Sequence, residues 1–169
     1  MYGTLERAGD QPRLRFERTY PHPPEKVWRA ITEPGHLARW FPTTIEGERT
    51  AGSHLRFAFA QGQAPSFHGE MLVFDPPHVM ELRWGPDTLR LELHPDGSGT
   101  RLILLDTLEE LGKAARDAAG WHTCLHALGD ALDDTATAPA ADTWREVHAA
   151  YVAEFGPAAA VIGPPKGMT

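Results

Sequence analysis

From Thr43 to Thr107 the chain is cut into short runs in which apolar residues alternate with polar ones, and a single long amphipathic stretch follows at once. No other feature limits the fold as much. "HLRFAFA" alternates Leu55, Phe57 and Phe59 against polar or small residues, "HVMELRW" puts Met80, Leu82 and Trp84 on one face, and "TLRLELH" does so with Leu89, Leu91 and Leu93. With "TTIEGER", "SFHGEMLVFD" and "RLILLDT" they make six strand candidates, closed by Gly52, by Pro76-Pro77 and by the glycine-rich "HPDGSGT". A period of two with short connections predicts an antiparallel meander, and the absence of helices between strands excludes a parallel nucleotide-binding sheet.

The segments on either side complete the order. "RLRFERTYP" alternates Leu14, Phe16 and Arg18 against Arg15, Glu17 and Thr19 and predicts a first strand, preceded only by a short leader. Pro23-Pro24 stand where a helix can begin, since its first turn has no use for their missing N–H. Val27, Trp28 and Ile31 give that helix an apolar patch, Pro34-Gly35 break it, and a second short helix, "HLARW", ends at Phe41-Pro42. After the strands a helix is expected over residues 111–135, with Ala114, Ala118, Trp121, Leu125, Leu128 and Leu132 on one stripe.

"TATAPAA" reads as a linker, and Asp142 as the N-cap of a last helix with the stripe Trp144, Val147, Tyr151 and Phe155. Gly156-Pro157 stops it, and "GPPKGMT" reads as a loose tail. The division expected is one domain over residues 1–136, with the linker, helix and tail of 137–169 appended to it.

Net charge is -7 and the basic residues are scattered, which argues against nucleic acid and against an anionic membrane surface as partners. No apolar run is long enough to span a bilayer, and the N-terminus shows no secretory h-region. One cysteine, Cys124, excludes an intrachain disulfide and suits a reducing compartment, so a cytoplasmic location is expected.

The order strand, two short helices, six strands, long helix resembles the helix-grip fold of the START-like (SRPBCC) superfamily. Within it the chain is similar to bacterial relatives of the C-terminal domain of the activator of the heat-shock-protein-90 ATPase. The match is carried by "FERTYPHPPEKVWRAITEPGHLARWFP", "FHGEMLVFDPPHVMELRW", "GTRLILLDT" and "DAAGWHTCLHAL", roughly Leu14 to Leu132. The resemblance implies an α+β fold, a curved antiparallel sheet of about seven strands around the long helix, with a cavity between them for an apolar or aromatic ligand. Some members of the superfamily are cyclases or hydroxylase subunits, so the fold alone does not settle function.

His122 and His126 lie four apart on one helix face, the geometry of two zinc ligands, but Thr123 stands where the metalloprotease glutamate would be. Cys124 lies about 200° round the helix from His122, so it joins neither a metal nor a Cys-His pair there. No metal and no cofactor is expected. Asp106 and His122 are the nominees for polar groups in the cavity, with His68 and Glu70 on a strand whose pattern does not decide their side. Trp84, Trp121, Phe59, Met80, Leu91, Ala118 and Leu125 are the expected walls, and the small residues Ala114, Ala118 and Gly129 beside Trp121 leave room for a guest.

Three functions stay open at this point. They are binding of a small apolar or aromatic molecule, a cyclase- or hydrolase-type enzyme in the same cavity, and a cochaperone-like interaction module. The last helix is available to a partner or to a second subunit in a homodimer if it does not pack on its own domain.

Overall fold

The structure, a computed structural model, describes residues 1–136 and 140–165, without the side chains of residues 140–142. Seven strands form one antiparallel sheet in the order β1-β2-β7-β6-β5-β4-β3. They are β1 Thr4–Ala8, β2 Gln11–Tyr20, β3 His54–Phe57, β4 Phe67–Asp75, β5 Val79–Trp84, β6 Asp87–Asp96 and β7 Gly99–Thr107. Helices α1 Pro24–Thr32 and α2 Pro34–Leu37 carry the chain from β2 across the sheet to the far edge at β3, and four strands then return hairpin by hairpin to β2. Helix α3, Ala114–Leu132, follows a 3-10 turn at Leu111–Lys113, and α4 spans Ala140–Phe155. This is an α+β helix-grip fold.

Three of the hairpins turn on the same chemistry. Ala8 pairs with Gln11, Trp84 with Asp87 and Asp96 with Gly99, leaving Gly9-Asp10, Gly85-Pro86 and Gly97-Ser98 as two-residue loops. The first residue of each loop has positive φ (63°, 58° and 58°), a conformation open to glycine at no steric cost and matched to the twist of the strands it joins. One face of the sheet is apolar: Leu89 and Leu91 of β6, Met80 and Leu82 of β5 and Leu102 and Leu104 of β7 are fully buried under the helices. The opposite face carries charge, as in the ion pairs of Arg90 with Glu81 and Glu92. Each leucine moved from water into that interior stabilises the fold by about 1.5–3 kcal/mol.

Four expectations are corrected. The leader contains β1, an edge strand with only Leu5 as an apolar residue before Ala8, held by its hairpin with β2. "TTIEGER" does not form a strand: it is extended chain touching the sheet through the bridges Thr43–Phe59 and Glu46–Arg56. Helix α4 starts at Ala140, two residues before Asp142, whose side chain lies outside the described residues. Gly163–Pro165 form no element and residues 166–169 of the expected tail lie outside the description. Just before them, Ala159 is buried and the Ile162 N–H donates to the Gly112 carbonyl at 2.9 Å, so the chain after α4 returns to the start of α3. Part of the linker, residues 137–139, is likewise outside the description.

The α4 stripe packs on its own chain. Trp144, Val147 and Tyr151 are buried and belong to the same core as Leu125 and Leu128 of α3. The Tyr151 hydroxyl also accepts the Gly3 N–H at 2.8 Å, which ties the last helix to the first residues of the chain.

Candidate functional site

At one end of the grip the inner face of the sheet is aromatic. Trp84 closes β5, and rings from four other segments gather on it: Phe57 at 4.8 Å, Phe67 at 4.8 Å, Phe41 at 5.2 Å and Trp121 of α3 at 5.8 Å, centroid to centroid. Phe59 reaches the group through Phe67 at 6.0 Å. Most contacts are edge-on or tilted, the arrangement that aromatic quadrupoles favour. The chain makes room for this nest at Gly69, opposite Trp84 in the ladder, where a side chain would collide with Phe57. Phe41, Phe57 and Trp121 are buried, whereas Phe59, Phe67 and Trp84 are half-buried, so the nest opens to solvent on their side. The exposed turn at 60–63 lies next to that opening.

A buried acid stands behind the nest. Asp106, on the inner face of β7, is 1% exposed and its Oδ2 accepts the Trp121 indole N–H at 2.8 Å. Its Oδ1 is buried with no hydrogen-bond partner among the described residues. Burial, then the negative charge of Asp87, pushes the Asp106 carboxyl well above the ordinary carboxylate range and so favours its protonated form. Since Oδ2 is the acceptor for Trp121, a proton on this carboxyl would sit on Oδ1. A second buried atom, Thr43 Oγ1, also lacks a partner, two residues from Phe41 and bridged through its backbone to Phe59.

Oxygens of Asp87, Asp106 and Asp117 all lie within 4.8 Å of one another. A cation already sits among them: Lys113 Nζ donates to both Asp87 oxygens at 2.6 and 2.7 Å, and Arg116 pairs with Asp117 at 2.8 Å. With Asp106 neutral, each remaining carboxylate has its own cation.

The other expected residues are placed as follows. Met80 and Leu91 face each other across β5 and β6, fully buried, with Ala118 and Leu125 in the same core. The room expected beside Gly129 is taken by the ring of Tyr20, 3.4 Å from where a Cβ would stand, and the Tyr20 hydroxyl donates to the Leu125 carbonyl at 3.0 Å. His122 does not meet Asp106 or the nest. It faces α4 and the N-terminus, where its Nδ1 is hydrogen-bonded with the Tyr151 hydroxyl at 3.0 Å and its ring lies 5.0 Å from Tyr2. Burial, then the Arg18 charge, lowers its pKa to about 4, so it is neutral. His68 and Glu70 alternate with the inward Phe67, Gly69 and Met71 and stand on the outer face of the sheet. His126 is exposed, 3.8 Å from Asp130, and burial raises the Cys124 thiol to about 12, so it is an inert thiol.

Sequence reasoning missed Phe67, Thr43, Lys113, Asp87 and Asp117. For Phe67 the signal was present, in its period of two with Gly69 and Met71. Two surface concavities lie away from the nest. One, of about 260 Å³, lies between α1, α2 and the end of α3 and is lined by Lys26, Arg29, His36 and Arg39. The other, of about 360 Å³, is a shallow depression on the outer face around His54, His68, Glu70 and Arg83.

Among the described residues no helix is long and apolar enough to cross a membrane. Similar solved structures extend over most of the chain. A conserved protein of unknown function from Enterococcus faecalis superposes with a TM-score of 0.77 at 18% identity, covering 90% of each chain. CalU16 from Micromonospora echinospora gives 0.72 at 25% identity, covering 90% of this chain and 93% of its own. DynU16, from the dynemicin biosynthetic locus, gives 0.64 at 25% identity, covering 72% of this chain and 47% of its own. No curated protein matches the sequence. The family model for activator of Hsp90 ATPase homolog 1-like proteins matches residues 21–133. That span holds α1 to α3 and five of the seven strands, and the chain belongs to this family.

Proposed function

We propose that the protein binds a small aromatic or largely apolar molecule at the nest of Phe41, Phe57, Phe59, Phe67, Trp84 and Trp121. The observation that carries this reading is the buried, unpartnered Oδ1 of Asp106 directly behind Trp121. A buried polar atom without a partner costs the fold about 1–3 kcal/mol, and a ligand oxygen accepting the Asp106 proton would recover it. Thr43 Oγ1 offers a second anchor on the Phe41 and Phe59 side. The guest is therefore a flat ring system bearing a carbonyl, ether or hydroxyl oxygen. The half-buried rings Phe59, Phe67 and Trp84 are the entrance, and swinging one aside breaks ring contacts of only about 0.5–1.5 kcal/mol each. DynU16's place in a biosynthetic locus agrees with a role in handling a small molecule.

Native mass spectrometry of gently purified protein, set against its denatured mass, tests the reading. A non-covalent organic adduct that disappears in Trp84→Ala and in Asp106→Leu supports it. A bare mass, with no uptake of added hydroxylated naphthalenes or anthraquinones, refutes it.

The same neutral carboxyl favours a second reading, an enzyme in which Asp106 gives its proton to a bound carbonyl. Turnover lost in Asp106→Asn while binding persists would separate the two. His122 is not its partner, because Tyr151 and Tyr2 hold it elsewhere.

A further inference from the structure

The outer face of the sheet carries a pair of histidines that the aromatic nest does not use. His54 of β3 and His68 of β4 are both exposed, and their ring nitrogens Nε2 and Nδ1 stand 3.0 Å apart. The rings are nearly parallel, with centroids at 5.0 Å. The register explains the pairing: His54 is opposite Glu70 and Arg56 opposite His68, so His54, His68 and Glu70 share the outer face of adjacent strands as direct and diagonal neighbours. They line the shallow depression together with the backbone of Gly52 and Gly69.

We infer that His54 and His68, with Glu70 as a third ligand, form a surface site for a first-row divalent cation of the zinc, nickel or copper class. Imidazole is a preferred ligand for these ions. Two tetrahedral nitrogen ligands at about 2.0–2.1 Å from zinc stand about 3.3 Å apart, a few tenths of an ångström from the separation present here. In this contact one ring nitrogen donates its proton to the other; when the donor ring shifts to its other tautomer through solvent, both facing nitrogens present lone pairs, and a cation can lie between them after a small rotation of each exposed ring. Both rings sit on paired strands of one sheet, so the ladder already sets the two histidines side by side, while Glu70 has to swing in to join them. Glu70 has no ion-pair partner among the described residues and is exposed, which leaves its carboxylate free to swing toward the ion and offset part of its charge. Arg83, opposite Glu70 in β5, opposes this, and its exposed guanidinium has to turn away. Arg56 is engaged with Glu46. A two-histidine, one-carboxylate set leaves coordination positions to water, so the site is open rather than closed.

The test is calorimetric titration of untagged full-length protein with Zn²⁺, repeated with Co²⁺ for its ligand-field absorption. One ion per chain is expected, with binding weakened about tenfold or more in His54→Ala and in His68→Ala, and less in Glu70→Gln. His126→Ala, which removes an exposed histidine on α3, leaves the affinity unchanged. Thermal melts confirm that the exposed-site variants remain folded. Metal uptake that survives both His54→Ala and His68→Ala, or no uptake by the unaltered chain, overturns the inference. Because the depression lies on the face of the sheet opposite the aromatic nest, neither result depends on whether the nest binds a ligand.

Discussion

Asp106→Asn isolates the chemistry of the buried acid with little change of shape. The carboxamide oxygen still accepts the Trp121 indole N–H, now bonded at 2.8 Å, but the group cannot ionise. In the native chain burial and the Asp87 charge raise the Asp106 carboxyl well above its ordinary 3.8. Between that ordinary value and the folded-state value, the folded chain holds one proton more than the unfolded chain. The stability contributed by this group is therefore fully present below the unfolded pKa and is lost as pH rises through the folded one. One proton corresponds to at most about 1.4 kcal/mol per pH unit. Urea unfolding of both proteins from about pH 4 to pH 9 then shows the variant gaining on the native chain as pH rises, until the native Asp106 ionises. Asp117, whose carboxyl is also raised by burial, is present in both proteins. Asp106→Leu provides the contrast, since it leaves the Trp121 N–H without an acceptor and costs about 1–3 kcal/mol at every pH. Parallel pH profiles for the native chain and Asp106→Asn would refute the assignment of a protonated acid.

Three further outcomes follow from the same geometry. Lys113→Met leaves Asp87 buried without its cation and destabilises the fold by about 3–5 kcal/mol in chemical denaturation. Gly69→Ala would place a Cβ 1.9 Å from the Arg83 carbonyl and 2.8 Å from Phe57, and lowers stability in a thermal melt by about 1–3 kcal/mol or more. His122, with a folded pKa of about 4 against the usual 6.5, contributes stability above the usual value that is lost as pH falls toward 4, and its NMR ring signals stay neutral at pH 5.5, where an exposed histidine is largely charged.

The element order, the inward faces of β5 and β6, and the inward Trp121 were legible because period two and period 3.6 survive in the sequence wherever one face is buried. The edge strand β1 was not. A strand held at one side by its ladder needs no apolar face, and "TLERA" offers only Leu5; the Gly9 turn was its clearest trace. "TTIEGER" misled in the opposite way, since its alternation suits an extended segment that meets the sheet at two bridges only. In the site, Asp106 lies on the inner side of β7 in alternation with Leu104 and Leu102, a pattern present in the sequence, whereas its bond to Trp121 depends on how α3 lies across β7. His122 looked like a rim residue because its helix position borders the apolar stripe. Its actual neighbours, Tyr151 and Tyr2, come from the two ends of the chain, and no local pattern announces them. The side of His68 and Glu70 was likewise set by register, which runs through Gly69 and Trp84.

The most direct test of the proposed binding site is the indole N–H spectrum of ¹⁵N-labelled protein during titration with a hydroxylated naphthalene. Five tryptophans report from separate places: Trp84 and Trp121 in the nest, Trp40 bonded to the Ala30 carbonyl, Trp28 against Phe74, and Trp144 on α4. Saturable shifts led by Trp84 and Trp121, with Trp28 and Trp144 unmoved, are the predicted result. No saturable shift at Trp121, or shifts led by Trp144, would contradict the account.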